Sequence, residues 1–248
     1  RGGLEAGDTL LVHGASGGVG LAALDLAARD GRIVVNADAL QVYDCWRILS
    51  ARPSVAEEAE APHRLYGHVG READYSVGHW LREVSGHLDR PVVIVGGTGL
   101  YLSALTEGLA EIPPTPATVR AEADARLAGE GLAGMLAELD AVTAGRIDQN
   151  NPARVQRAWE VWRATGRGLA EWQDDTGPPL LPLTRAEALV IRPDVGWLND
   201  RIDLRFDRMI LDGALDEVRA ELPFWQPARP YARAIGAPLS QAQIAAAD

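Results

Sequence analysis

Short apolar runs that end in glycines and lead into helical patterns are the feature of this sequence that most restricts its fold. The first run, Thr9–His13, enters the glycine-rich turn of "LLVHGASGGVG" and a helical pattern over Gly18–Arg29. Further runs at Arg32–Asn36 and Pro91–Val95 follow, and the last enters the turn "GGTGLY". Strands that alternate with helices form parallel sheets, which bind ligands at the carboxyl ends of their strands. The sequence therefore predicts an α/β fold with a nucleotide or phosphate cradle at such a turn.

The second half of the chain begins with a change in pattern. After "EIPPTP" the sequence is helical to about Gln173, with breaks at Gly129–Gly134 and at "NNP", and a strand at Ala188–Ile191 then returns to the same sheet. A regular helical pattern follows and ends at Gly213. We predict a divided core and an insertion: an α/β core of residues 1–112 and 180–248, in which 9–30 is the phosphate-loop region, and a helical insertion of residues 113–179.

The helix that precedes Gly213 carries its apolar residues on one face, while aspartates and arginines fall elsewhere. We expect this face to be part of the hydrophobic core. Its members are Leu198, Ile202, Phe206, Met209 and Ile210.

The charge composition excludes one class of mechanism. All 24 basic residues are arginine, so no lysine is present and chemistry that requires one is excluded. The net charge of −11 argues against broad affinity for polyanions, although a local basic patch is compatible with it.

No apolar run reaches the roughly 20 residues of a membrane span, and a single cysteine excludes an internal disulfide, which fits a cytoplasmic protein. The histidines show no metal-ligand spacing with Cys45.

Three motifs carry groups that chemistry can use. Asp38 lies just past a predicted strand, where its carboxylate can accept a proton, hold a ribose hydroxyl or simply cap a helix. In "VIVGGTGLY" glycines surround the hydroxyl of Thr98 and allow close backbone approach. In "NPARVQRAWEV" Arg154 and Arg157 begin a helix opened by Pro152, where arginines can grip phosphates or stack on bases, although most helix arginines are only solvated.

Taken together and in order, these motifs resemble one family. "NADALQVY", "ARPS", "APHRLYGHV", "YSVGHW", "VIVGGTGLY", "IPPTP", "NPARVQRAWEV" and "WLNDRIDLRFDRMILDGALDEV" are similar in order and spacing to motifs of the bacterial tRNA dimethylallyltransferases, also called tRNA isopentenyltransferases. The resemblance runs from about Gly31 to about Gly236. It implies a P-loop-kinase-like α/β sheet flanked by helices, with a helical insertion that grips the anticodon stem-loop.

The resemblance also implies an activity: transfer of a dimethylallyl group from dimethylallyl diphosphate to N6 of the adenosine 3′ of the anticodon, with Mg²⁺ on the diphosphate. Asp38 is then the general base and Thr98 a contact of the flipped adenosine. Nucleotide and ATP binding, a monomer and a cytoplasmic location are further expectations. The residues expected to meet tRNA are Asp38, Ala39, Leu40, Gln41, Thr98, Arg120, Ala153, Arg154, Val155, Gln156 and Arg157.

The opening of the chain departs from this family. The family has a phosphate loop of the form G-x-T-x-S-G-K-[ST], and counting back from Asn36 places "HGASGGVG" on it, with Val19 at the lysine and Gly20 at the hydroxyl residue. The ammonium that neutralises a diphosphate and the hydroxyl that holds Mg²⁺ are thus missing, and we expect impaired activity. The residues that take the place of the loop's diphosphate grip are Ser16, Gly17, Gly18, Val19 and Gly20.

Two other hypotheses remain open at this point. "LEAGDTLLVHGASGGVGLAALDLA" is similar to the NADPH-binding turn of zinc-independent quinone oxidoreductases, which suggests a fragment of an NADPH-binding oxidoreductase. A catalytically inactive homologue that still binds tRNA is the other. After "ARAIGAP" the family continues into a basic, aromatic-containing segment, and its replacement here by "QAQIAAAD" predicts weaker RNA affinity.

Overall fold

The protein is described by a computed structural model that covers residues 9–13 and 31–238. Its strands are β1 (Thr9–His13), β2 (Ile33–Asn36), β3 (His63–Arg64), β4 (Val92–Gly96) and β5 (Ala186–Val190). They form one sheet in the order β3-β2-β4-β1-β5, in which every neighbouring pair is parallel. The predicted α/β fold is confirmed, and the last strand does return to the sheet, beside β1.

The helices of the described residues follow the predicted alternation. They are α1 (Val55–Glu60), α2 (Val77–Ser85), α3 (Gly99–Glu107), α4 (Ala117–Glu138), α5 (Ala141–Arg146), α6 (Pro152–Thr165), α7 (Leu169–Asp174), α8 (Val195–Leu211) and α9 (Ala214–Glu221). Short 3₁₀ turns occupy Leu183–Arg185, Leu222–Phe224 and Pro230–Arg233. The helix predicted over Gly18–Arg29 lies outside the described residues.

The chain divides into two compact units. One comprises residues 1–106 and 180–248 and contains the sheet, and the other comprises residues 107–179 and is helical. The helical unit therefore begins at the end of α3, whereas the sequence places its start at 113.

The core of the first unit lies between the sheet and two helices. Side chains that alternate along β2 and β4 face α2 and α3, as the two-residue period of a strand requires. This cluster contains Ile33, Val35, Ala37, Trp80, Val84, Val92, Ile94, Tyr101, Leu105 and Leu181. Trp80 is fully buried, stacks on Tyr101 with ring centroids 4.7 Å apart, and donates from Nε1 to the carbonyl of Asn36 at 2.6 Å. The core therefore supports the end of β2.

The second unit is built on the packing of α4 against α6. Its buried cluster joins Met135 of α4 to Val155 and Trp159 of α6, and Trp159 Nε1 donates to the carboxylate of Glu138 at 2.8 Å. Gly131 interrupts α4 with a φ of +71°, a conformation that glycine adopts without a Cβ clash. The break predicted from the glycines is thus confirmed.

The apolar face of α8 corrects the sequence analysis. The helix exists and its stop at Gly213 is confirmed by a φ of +100°, but α8 contains no buried residue. Ile202 is 53 % exposed and Phe206 62 % exposed, so the prediction that this face is core is wrong. Helical periodicity identifies residues that share a face, and it carries no information about whether another element covers that face.

Candidate active site

The loop after β2 lies against the end of β4 at the carboxyl edge of the sheet. Ala37 donates its backbone N–H to Val95 at 2.7 Å, and Thr98 donates its own to Ala37 at 3.3 Å. A Cβ atom at Gly96 would overlap the backbone of Ala37, so this approach requires glycine. The contact brings Asp38 and Thr98, which are distant in sequence, to one place.

The hydroxyl of Thr98 is tied to the Asp38 loop. Its Oγ1 accepts the backbone N–H of Ala39 at 2.9 Å, and Thr98 itself stands at the start of α3, where its carbonyl accepts from Tyr101. A hydroxyl that accepts one hydrogen bond keeps its own proton for another partner. Thr98 therefore has a donor left for a ligand.

The two oxygens of the Asp38 carboxylate differ. Oδ1 accepts the backbone N–H groups of Leu40 at 2.8 Å and Gln41 at 3.3 Å. Asp38 therefore does cap the backbone that follows it, but this backbone forms a turn and not a helix. Oδ2 makes no hydrogen bond to any residue that the structure describes. The first oxygen fixes the rotamer and leaves the second as a proton acceptor for a ligand.

Asn36 and Gln41 hold the loop on either side of Asp38. Asn36 is fully buried; its side chain accepts from the N–H of Asp38 at 2.8 Å and donates to the carbonyls of Asp38 and Leu65 at 2.9 and 3.0 Å. Gln41 donates from Nε2 to the carbonyl of Ser50 at 3.0 Å. These bonds fix the backbone before any ligand arrives, which is what a preorganised site requires.

The chain that follows the Asp38 loop is anchored on α9. The carboxylate of Glu217 accepts three consecutive backbone N–H groups, from Arg47 at 2.6 Å, Ile48 at 3.1 Å and Leu49 at 2.8 Å. Trp46 is buried and donates to the carbonyl of Tyr231 at 2.9 Å. Gln41 is therefore bonded to a segment that is itself held rigidly.

Two side chains near Asp38 were missed by the sequence analysis. Burial lowers the pKa of Arg205, on α8, and the attraction of Asp38 acts in the opposite direction. Burial raises the pKa of Tyr66, and the charges of Asp38 and Glu58 raise it further. Tyr66 follows β3, which has only two residues and is too short to be detected from an alternating pattern. Arg205 is one of several charged residues of α8, and its sequence position does not distinguish it from the others. The carboxyl ends of parallel strands converge at one edge of a sheet, and this is the signal that points to Tyr66.

The remaining predicted site residues are either outside the described residues or in the helical unit. Ser16, Gly17, Gly18, Val19 and Gly20 fall outside the described residues. Within the helical unit, Arg154 is exposed at the start of α6, and Ala153 beside it is exposed too. Val155 is fully buried in the core of that unit, so its side chain packs against protein.

Three of the predicted tRNA contacts in the helical unit are hydrogen-bonded to other side chains of that unit. Arg120 donates to the buried carboxylate of Glu160 at 3.0 Å, and Gln156 donates to the same carboxylate at 3.1 Å. Arg157 donates to Thr115 Oγ1 at 2.7 Å, and burial lowers its pKa. Of the predicted RNA contacts in this unit, Arg154 is thus the arginine whose guanidinium has no protein partner among the described residues.

Over the described ranges, no group of three or more His, Cys, Asp or Glu side chains is arranged to hold a metal ion. Over the same ranges, no helix is both long and apolar enough to cross a membrane.

Comparisons with known proteins agree with one another. The model of the family described as "IPPT: IPP transferase" matches residues 41–244. A tRNA dimethylallyltransferase of Cereibacter sphaeroides is 73 % identical over 227 residues, which are 90 % of this chain and 72 % of the relative. One of Dinoroseobacter shibae is 56 % identical over 241 residues, 95 % of this chain and 81 % of the relative.

Solved structures show the same fold. A eukaryotic dimethylallyltransferase acting on tRNA superposes with a TM-score of 0.72 at 22 % identity, over 89 % of this chain and 57 % of its own, so this chain spans less than two thirds of that enzyme. The tRNA isopentenylpyrophosphate transferase of Bacillus halodurans superposes with a TM-score of 0.62 at 23 % identity, over 98 % of this chain and 79 % of its own.

Proposed function

The chain belongs to the IPP transferase family, and on that premise we propose that it is a prenyltransferase that moves a dimethylallyl group from dimethylallyl diphosphate to tRNA. The acceptor is N6 of the adenosine 3′ of the anticodon. The observation that carries the proposal is the Asp38 carboxylate, with one oxygen fixed by backbone N–H groups and the other unbonded among described residues, beside the hydroxyl of Thr98.

The chemistry needs a proton acceptor at this place. N6 of adenine is a weak nucleophile because its lone pair is delocalised into the ring. In the transfer, N6 bonds to C1 of the dimethylallyl group, the bond from C1 to the diphosphate oxygen breaks, and the diphosphate leaves with the bonding electrons. Asp38 Oδ2 takes the N6 proton, while Thr98 donates its hydroxyl proton to the bound nucleoside. A flipped base brings N6 within reach of both groups.

The departing diphosphate needs positive charge. Because the chain has no lysine, arginine is the permanently charged side chain that can supply it, and Arg205 is half-buried within electrostatic reach of Asp38. Mg²⁺ commonly binds through substrate phosphates and waters with few protein ligands, so an ion carried by the diphosphate fits a site in which Asp38 Oδ2 stays open to the N6 proton. Such an ion would neutralise part of the diphosphate charge.

Restoring the missing groups of the phosphate loop is expected to raise the rate. Val19→Lys with Gly20→Ser supplies the ammonium and the hydroxyl that such loops use, and we expect an increase of about 100-fold, the order of effect of one charge-stabilising group. The measurement is a single-turnover transfer assay with labelled dimethylallyl diphosphate and tRNA.

The control for that prediction is Val19→Met with Gly20→Ser, because methionine matches the length of lysine without its charge. Equal rates for the lysine and methionine variants would show that Val19 does not align with the loop lysine.

For RNA binding, Arg154→Ala is expected to weaken tRNA affinity similarly for all tRNA sequences and to reduce the slope of log affinity against log salt by about 1, as for one lost phosphate contact. Arg146→Ala is the matched control, because Arg146 is paired with Asp174 at 2.6 Å. Titrations at several salt concentrations measure the tRNA affinity and its salt dependence. The same change of slope for Arg154→Ala and Arg146→Ala contradicts the assignment of Arg154 as a phosphate contact.

The alternatives predict different results. An inactive homologue binds tRNA without transfer, and an oxidoreductase fragment binds NADPH saturably. The family match covers residues 41–244 and favours neither alternative.

Action on tRNA fits a cytoplasmic protein, and we propose a monomer, which sedimentation tests. The test of the proposed function is the appearance of N6-dimethylallyladenosine in tRNA that was incubated with the chain, dimethylallyl diphosphate and Mg²⁺.

A further inference from the structure

The turn after β3 is bound to the Asp38 loop at two points. The buried side chain of Asn36 donates to the carbonyls of both Asp38 and Leu65. Two residues further on, Gly67 donates its N–H to the carbonyl of Gln41 at 2.9 Å. Tyr66 lies between these two attachments, so its position relative to Asp38 is fixed by backbone hydrogen bonds.

The backbone of this turn adopts an uncommon conformation. Leu65 has a φ of +63°, which an L-residue with a Cβ rarely adopts, and Gly67 has a φ of +52°. A Cβ atom at Gly67 would overlap the guanidinium of Arg52, which donates to the carbonyl of Tyr43 at 3.3 Å. Several independent contacts thus hold the turn in this shape, as is common where strain is retained at functional sites.

The phenol of Tyr66 is oriented but unused within the described protein. Its ring meets His63 edge to face, with centroids 5.4 Å apart. Its hydroxyl makes no hydrogen bond to any described residue, although the side chain is partly buried. Burial and the nearby carboxylates of Asp38 and Glu58 raise its pKa, which keeps the hydroxyl protonated and able to donate.

We propose that the phenol hydroxyl of Tyr66 contacts the nucleoside whose amine is held at Asp38, and so helps the site to select that nucleoside. The inference rests on the proposed function, because it takes the acceptor adenosine as the ligand. A nucleoside fits better than a diphosphate here, because Tyr66 lies near the carboxylates of Asp38 and Glu58, which repel a further anion. The ring nitrogens of the adenine base are neutral acceptors for a phenol donor, and an abasic nucleotide lacks them.

Removal of the hydroxyl separates this role from a structural one. An unpaired, partly buried hydroxyl contributes little to folding, so Tyr66→Phe is expected to leave the melting temperature unchanged. A hydrogen bond to a ligand, in contrast, is worth about tenfold in affinity. Tyr75→Phe is the matched control, because the Tyr75 hydroxyl donates a hydrogen bond to Glu83 at 2.5 Å. Loss of that hydrogen bond is expected to lower the melting temperature without changing the preference for adenosine.

The test uses two RNA hairpins that carry either an adenosine or an abasic nucleotide 3′ of the anticodon. For the unaltered chain and Tyr75→Phe we expect tighter binding of the adenosine hairpin, and for Tyr66→Phe a reduction of that preference by about tenfold. An unchanged preference in Tyr66→Phe, or no preference in the unaltered chain, overturns the inference. Transfer is measured in parallel: a chain that prefers adenosine but forms no product contradicts the proposed function alone.

Discussion

Asp38→Asn is expected to reduce the single-turnover transfer rate by about 1,000-fold, within the range of general-base catalysis. Asparagine retains an Oδ1 that accepts the N–H groups of Leu40 and Gln41, so the turn after β2 is preserved. Its Nδ2 replaces the unbonded oxygen and cannot take a proton from N6. The rate therefore falls while the melting temperature and the tRNA affinity change little.

The control is Asp44→Asn, because Asp44 is exposed on the same stretch of chain and bears the same charge. It separates the loss of a proton acceptor from the general effect of removing one negative charge near bound RNA. Equal transfer rates for Asp38→Asn and the unaltered chain would remove Asp38 from the mechanism.

Trp80→Ala is expected to lower the free energy of unfolding by about 4 kcal/mol, the usual cost of truncating a fully buried tryptophan. The substitution empties space between α2 and α3 and removes the hydrogen bond to the carbonyl of Asn36. Urea titration followed by circular dichroism measures the change, with a lower midpoint as the expected result.

Trp197→Ala provides the comparison for Trp80→Ala. Trp197 is 51 % exposed at the start of α8, and we expect its truncation to cost less than about 1 kcal/mol, as for most surface positions. Comparable losses for the two variants would contradict the burial pattern of the first unit. Trp80→Phe refines the result, because it keeps a six-membered ring but removes the pyrrole edge and its hydrogen bond, and we expect a loss between those of the two alanine variants.

Local patterns predicted much of the fold, and the reasons are physical. The strands β2 and β4 are apolar runs bounded by glycine or polar residues, and buried parallel strands read in that way. Gly131 and Gly213 mark the kink and the helix stop because both adopt a positive φ. The exposure of the apolar face of α8 could not be predicted, because burial of a helix face depends on contacts between elements that are distant in sequence.

The candidate site was predictable where one motif contributes a group at a strand end. Asp38 and Thr98 are such groups, and their meeting follows from the pairing of β2 with β4. Tyr66 and Arg205 were not found, because β3 is only two residues long and because the sequence does not show which part of α8 approaches Asp38. That Asp38 Oδ2 makes no hydrogen bond to a described residue could likewise be learned only from the structure.

Transfer to N6 with Asp38 as the proton acceptor can be followed in a single-turnover assay that compares two proteins. The unaltered chain and Asp38→Asn are each mixed with labelled dimethylallyl diphosphate, Mg²⁺ and a tRNA that has adenosine 3′ of its anticodon. We expect N6-dimethylallyladenosine from the unaltered chain and almost none from Asp38→Asn at equal tRNA occupancy. Bound tRNA without product from the unaltered chain, or equal product from both proteins, would contradict it.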